Sequence, residues 1–186
     1  MRIVAGRLRG RRIEAPEGSL VRPTSDRARQ ALFNILEHGK FAAQGSPLAG
    51  AIVLDAFAGT GALGLEALSR GAEHAVFMEH ASAVQKLLRA NIASCGEGAN
   101  ATVLGADATA PPRASRIASL AFLDPPYGKG LAAPALSALR REGWLAPEAL
   151  VVVEVAGREE FALPDGFTVA DERRYGAARL IFLNSV

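Results

Sequence analysis

Cysteine is almost absent from this chain of 186 residues. Cys95 stands alone, so no internal disulfide can form and no thiolate-based zinc site can be built. The three histidines, His38, His74 and His80, lack metal-ligand spacing, and no metal is expected. Long apolar runs are missing too. The longest uncharged stretch, Phe41 to Leu54, holds 14 residues and is interrupted by Gln44, Gly45, Ser46 and Pro47, too little to span a bilayer. Arg2 follows Met1 directly, and no apolar run precedes a small-residue cleavage site. These absences together point to a cytoplasmic protein with no membrane partner.

What is present reads as a folded domain. Hydrophobic residues make up 49% and charged residues 22%, which excludes whole-chain disorder. The length suits one α/β domain with a small appendage, large enough to bury roughly 70% of its unfolded surface. The net charge of +2 conceals an asymmetry. Residues 1–30 hold eight arginines against Glu14, Glu17 and Asp26, a balance of +5, so the rest of the chain carries −3. A basic arm on a mildly acidic body suggests a polyanionic partner.

Residues 1–23 are expected to form that arm, with a hairpin pairing Arg2–Ala5 with Arg11–Glu14 across a turn from Gly6 to Gly10, then a loop from Pro16 to Pro23. The body, residues 24–186, opens with a helix capped by Thr24 or Ser25, whose Ala28, Ala31, Leu32, Ile35 and Leu36 recur at helical spacing. From residue 51, short apolar strands alternate with helical patterns. Strands are expected at 51–54, 74–78, 101–104, 120–123, 150–155, 167–172 and 178–183, and helices at 62–70, 82–94 and 131–141. This is a Rossmann-like order: a seven-stranded, mostly parallel sheet with helices on both faces and an antiparallel last strand.

Three motifs sit at strand ends. Between the first strand and its helix lies Asp55-Ala56-Phe57-Ala58-Gly59-Thr60-Gly61-Ala62-Leu63-Gly64, a G-x-G-x-x-G loop with Glu79 twenty residues beyond Gly59. A dinucleotide would be the usual ligand, but Asp55 would repel a pyrophosphate at the helix N-terminus. S-adenosylmethionine carries no phosphate; Asp55 can face its ammonium and sulfonium, and Glu79 can accept both ribose hydroxyls. Phe57, Thr60 and Gly61 complete this cradle. Asp107 and Ala108 follow the third strand, where a carboxylate or amide can reach an adenine edge.

Asp124-Pro125-Pro126-Tyr127 ends the fourth strand. The lone pair of a nucleobase amine is delocalised into the ring, so methylating it requires acceptors that draw the nitrogen toward tetrahedral geometry. Asp124 offers a carboxylate, Pro125 a carbonyl, the two prolines stiffen the turn, and Tyr127 offers a face for an unstacked base.

With these residues the sequence resembles class I S-adenosylmethionine-dependent methyltransferases, and more closely the bacterial RsmD-type family. The likeness also includes Arg2-Ile3-Val4-Ala5-Gly6, Arg9-Gly10-Arg11, Arg22-Pro23-Thr24-Ser25-Asp26-Arg27, Leu32-Phe33-Asn34 and Leu65-Glu66-Ala67-Leu68-Ser69-Arg70-Gly71. The resemblance implies methylation of the N2 amine of one guanine in 16S ribosomal RNA, within the 30S subunit or an assembly intermediate, by a monomer. It implies that Arg22 and Thr24 help close the cofactor site, and that Arg2, Arg7, Arg9, Arg11, Arg12 and Lys129 face RNA. Glu79-His80-Ala81 departs from relatives that carry another polar or acidic residue after the glutamate. The competing readings are a DNA adenine-N6 methyltransferase, for which the chain lacks a target-recognition region, a catalytically silent RNA-binding or assembly module, and a dinucleotide oxidoreductase.

Overall fold

The structure, a computed structural model, describes residues 1–16 and 26–186, with Asp26 and Arg27 described by backbone alone. The expected caps Thr24 and Ser25, and the expected loop from residue 17 to residue 23, lie outside the described residues. The first helix, α1, is Asp26–His38. Strand β1, Ile52–Asp55, leads through the glycine loop to α2, Ala62–Ser69. Then come β2 (His74–Met78), α3 (Ser82–Cys95) and β3 (Ala101–Leu104). Strand β4 (Ala118–Leu123), α4 (Ala132–Arg141), β5 (Leu145–Ala156), β6 (Phe167–Tyr175) and β7 (Ala178–Ser185) complete the chain.

The seven strands form one sheet in the order β3-β2-β1-β4-β5-β7-β6. β1 pairs in parallel with β2 and β4, β4 pairs in parallel with β5, and β7 runs antiparallel to both β5 and β6. The direction of winding reverses between β1 and β4. A crevice opens at such a switch point, outside the carboxyl ends of the strands, and both motifs end there.

Alternating residues of the central strands feed two cores. Val53 and Phe77 point to one face, packed with Phe33 and Leu36 of α1 and Leu65 and Leu68 of α2. Leu54 and Val76 point to the other, under Leu136 and Leu139 of α4 and Trp144. Residues 110–117, whose pattern predicted no regular element, form an irregular run to β4 held where Trp144 Nε1 donates to Pro112 O at 2.8 Å.

Two strands are longer than the sequence suggests by three residues or more. β5 starts at Leu145 rather than Leu150, because a register shift opposite Ala118 and Leu120 and a positive φ of 59° at Glu148 carry the strand past Pro147. β6 continues past Glu172 through Arg173 and Arg174 to Tyr175; as the sheet's outer strand it carries charges, Asp171 to Arg174, that discourage edge-to-edge pairing.

The arm is a narrower hairpin than expected. A single antiparallel bridge joins Arg2 and Arg12, with Ile3 N donating to Arg11 O and Gly10 N to Ile3 O, both at 2.9 Å. It borrows the body's core, burying Ile3, Leu8 and Ile13 beside α1 and α2. Glu66 of α2 accepts the amides of Val4 at 2.8 Å and Ala5 at 3.0 Å, and also Arg70 Nε.

Candidate functional site

The crevice at the switch point holds a cavity of about 590 Å³. Asp55, Phe57, Gly59, Thr60 and Glu79 line it from the β1 and β2 side, and Asp124, Pro125, Pro126 and Tyr127 from the β4 side. The two strand-end motifs therefore share one space. The arm contributes Met1, Ala15 and Pro16 to its wall.

The glycine loop is shaped by backbone and packing. Gly61 caps α2 with φ 81°, a conformation that favours glycine, and Gly59 has φ 51°, with only Phe57 O, at 4.0 Å, near the place of a Cβ. Gly64 serves packing instead: a Cβ there would lie 2.3 Å from Phe77 Cε1, so the third glycine seats α2 on β2. Asn91 of α3 ties the loop to the arm, donating to Thr60 O and Glu14 O, both at 3.0 Å.

The acids of this half are held by amides. Asp55 is buried and accepts Gly64 N at 2.9 Å. Burial pushes its carboxyl up to about 8, against the pull of the Gly64 amide, and the nearby charges of Asp124 and Glu79 add to the rise. Glu79 accepts Gly59 N at 3.1 Å through one oxygen and Ala81 N at 2.8 Å through the other. His80 is exposed, also lines the cavity, and sets its Nδ1 3.5 Å from Glu79 Oε1. A buried acid short of positive charge, a second acid fixed by backbone, and glycines open to close approach fit a cationic ligand with a diol. A pyrophosphate would meet Asp55.

The other half relies on side chains. Asp124 is partly buried, Pro125 buried, and Pro126 and Tyr127 exposed, the tyrosine at 43%. The Tyr127 hydroxyl donates to Glu154 of β5, which is buried and also lines the cavity. Sequence reasoning missed Glu154; the signal was a lone acid at the carboxyl end of an apolar strand. It also missed Arg29, whose side chain is fully buried at the cavity wall, donates to Arg2 O and lies 3.5 Å from Glu66 Oε2.

Some expected residues stand elsewhere. Asp107 and Ala108 do not line the cavity; the Asp107 carboxylate accepts the amide and hydroxyl of Thr109, both at 2.8 Å, and those bonds hold it below its ordinary range. Arg22 and Thr24 lie outside the described residues. Arg2, Arg7, Arg9, Arg11, Arg12 and Lys129 are all exposed. Arg7 grips Glu97 through both guanidinium nitrogens and Arg2 donates to Gly10 O at 3.0 Å, so folding accounts for part of the arm's arginine density. Among the described residues no cluster of His, Cys, Asp or Glu is placed to hold a metal, and no helix is long and apolar enough to cross a membrane.

Comparison with known proteins adds four findings. The family model described as Conserved hypothetical protein 95 matches residues 1–184. Ribosomal RNA small subunit methyltransferase D of Escherichia coli is 41% identical over 155 residues, covering 83% of this chain and 74% of that protein. The solved structure of yhhF from Escherichia coli superposes with a TM-score of 0.83 at 35% identity, covering 100% of this chain and 97% of the other. At 13% identity the fold alone is shared with an RNA methyltransferase from Salinibacter ruber solved with S-adenosyl-L-homocysteine; its TM-score is 0.65, over 88% of this chain and 93% of that one.

Proposed function

The chain belongs to the family described as Conserved hypothetical protein 95, and from that premise we propose that it methylates the exocyclic N2 amine of a guanine in small-subunit ribosomal RNA. The observation that carries this reading is one cavity lined both by the glycine loop with its acids and by Asp124-Pro125-Pro126-Tyr127. The name of the Escherichia coli relative, a ribosomal RNA small subunit methyltransferase, supports the substrate class.

When bound, S-adenosylmethionine supplies an electrophilic methyl group on a sulfonium. Asp55 faces the cationic end, Glu79 holds the ribose, and Phe57, Gly59, Thr60 and Gly61 form the cradle. Asp107 and Ala108 at the end of β3, and Arg22 and Thr24, remain proposed contributors to adenine binding and closure. The target base, taken out of its stack, lies on the Tyr127 ring. Asp124 and the Pro125 carbonyl accept the two amine hydrogens, turning the nitrogen lone pair out of conjugation as the new N–C bond forms. The proton that becomes acidic passes to Asp124, which therefore needs no raised pKa beforehand. Arg9, Arg11, Arg12 and Lys129, with the outward parts of Arg2 and Arg7, meet RNA phosphates. The protein acts as a cytoplasmic monomer on the subunit or its assembly intermediate.

The test is incubation with labelled S-adenosylmethionine and unmodified 30S subunits, naked 16S RNA or DNA, followed by nucleoside analysis. N2-methylguanosine from the subunit or its RNA is the expected product. Label in adenine, or in DNA alone, would overturn the reading.

A further inference from the structure

Residues 150–156 read Leu-Val-Val-Val-Glu-Val-Ala, and Glu154 is the one acid in a run of buried residues. A carboxylate in such a place works against folding unless neighbours or a ligand answer it. Strand register makes its position more telling. Leu123, the last residue of β4, pairs in parallel with Val153 of β5, so Asp124 and Glu154 each follow at the same mouth of the sheet. The Tyr127 hydroxyl donates to Glu154 Oε1, and all three residues border the same cavity.

Resting on the guanine-N2 reading above, we infer that Glu154 reads the pairing edge of the target base and selects guanine over purines that lack an N1 hydrogen. Guanine presents two kinds of donor side by side, N1–H and the N2 amine. The two acids of the β4–β5 side present acceptors to the same cavity to match: Asp124 takes the amine and Glu154 takes N1–H. Adenine sets a bare acceptor nitrogen next to its amine. That acceptor would face the Glu154 carboxylate with no hydrogen between them, which penalises the wrong base as well as rewarding the right one. The Tyr127 ring carries the base, while its hydroxyl only steadies Glu154, whose carboxylate makes the contact itself.

The test uses small-subunit RNA in which the mapped target guanine is replaced, by splinted ligation, with 2-aminopurine. This base keeps the exocyclic amine and loses N1–H. The wild-type enzyme should favour guanine in kcat/KM by about a hundredfold or more, as a site built to receive a hydrogen bond rejects an analogue lacking the donor. Glu154→Gln, nearly identical in shape, can turn an amide N–H toward the bare nitrogen and should lower that ratio about tenfold or more. Tyr127→Phe, which keeps the ring and the carboxylate, should change the ratio far less than Glu154→Gln. Binding of S-adenosylhomocysteine by each variant verifies folding. An unchanged ratio in Glu154→Gln overturns the inference, and so does a Tyr127→Phe ratio that falls equally, because Glu154 would then act only through the tyrosine. A wild-type product other than N2-methylguanosine overturns the parent reading, and it is seen before any variant is made.

Discussion

The two halves of the cavity are built in opposite ways. On the β1–β2 side, the acids are held by main-chain donors: Gly64 N serves Asp55, and the amides of Gly59 and Ala81 serve Glu79. On the β4–β5 side the donor is a side chain, the Tyr127 hydroxyl, which holds Glu154. The first half is as rigid as the sheet and α2 that carry those amides. The second hangs from a loop whose Gly128 and Gly130 both have positive φ. A small ligand met in every turnover suits a preformed cradle, whereas a base delivered on a large RNA suits side chains that settle around it.

The sharpest way to break this comparison is Asp124→Ala. It should cut methyl transfer by about a hundredfold or more, as removal of a group acting at the reacting centre does. Cofactor affinity measured by calorimetry should stay nearly intact; an equal loss in both would merge the two halves into one. The converse is Glu79→Ala, which should weaken cofactor binding by more than about tenfold, because two charge-assisted hydrogen bonds of roughly 1.5–3 kcal/mol each are lost. Transfer at saturating cofactor should recover most of its rate.

The halves also differ in proton economy. Asp55 is raised to about 8, so its neutral form is preferred while the site lacks a cation. That contribution to stability is complete below the unfolded value near 4 and is lost as pH rises through about 8, so the ligand-free protein should lose stability across this window. A cationic ligand lowers the pKa and releases the proton. Affinity for S-adenosylmethionine should therefore rise by up to about tenfold per pH unit below pH 8, with calorimetry in buffers of different ionisation heat reporting proton release. Asp55→Asn should flatten that profile.

The smallest effect is expected outside both halves. Changing Arg9 and Arg11 together to Ala should weaken substrate binding several-fold and reduce the salt slope by about 0.7–0.9 log unit for each phosphate left without its arginine. Cofactor affinity should not change. An unchanged salt slope would mark these arginines as merely solvated.

The difference between the halves also explains what could be read from sequence. The glycine loop is local: strand, turn and helix all lie within the eighteen residues from Ile52 to Ser69, and Asp55 and Glu79 stand at the ends of apolar runs. Asp124-Pro125-Pro126-Tyr127 is likewise contiguous. Glu154 also stands near the end of an apolar run, but it belongs to no contiguous motif, and its meaning depends on β5 lying beside β4 and on a tyrosine 27 residues earlier. Arg29 was hidden in an amphipathic helix, where an arginine is ordinarily solvated, yet its side chain is fully buried. Asp107 followed the rule of strand-end acids, but its carboxylate closes a local turn with Thr109. Charge misled only at the end of β6, where Arg173 and Arg174 continue an outer strand expected to stop at Glu172.

The docking of the arm sets an order on events during synthesis. Val4 and Ala5 find their acceptor 62 and 61 residues later, and Arg7 finds Glu97 a full 90 residues later. At about 5–20 residues per second, the arm spends several seconds with its basic face answered only by solvent and by whatever anions surround the nascent chain. The segment made first is thus fastened only when about half of the chain has been made. A chain released before residue 97 would carry a loose, strongly basic N-terminus ahead of a partly built sheet, which makes the arm a marker of translation past the midpoint: protease resistance at Arg9 and Arg11 should appear only after Glu97 has joined the fold.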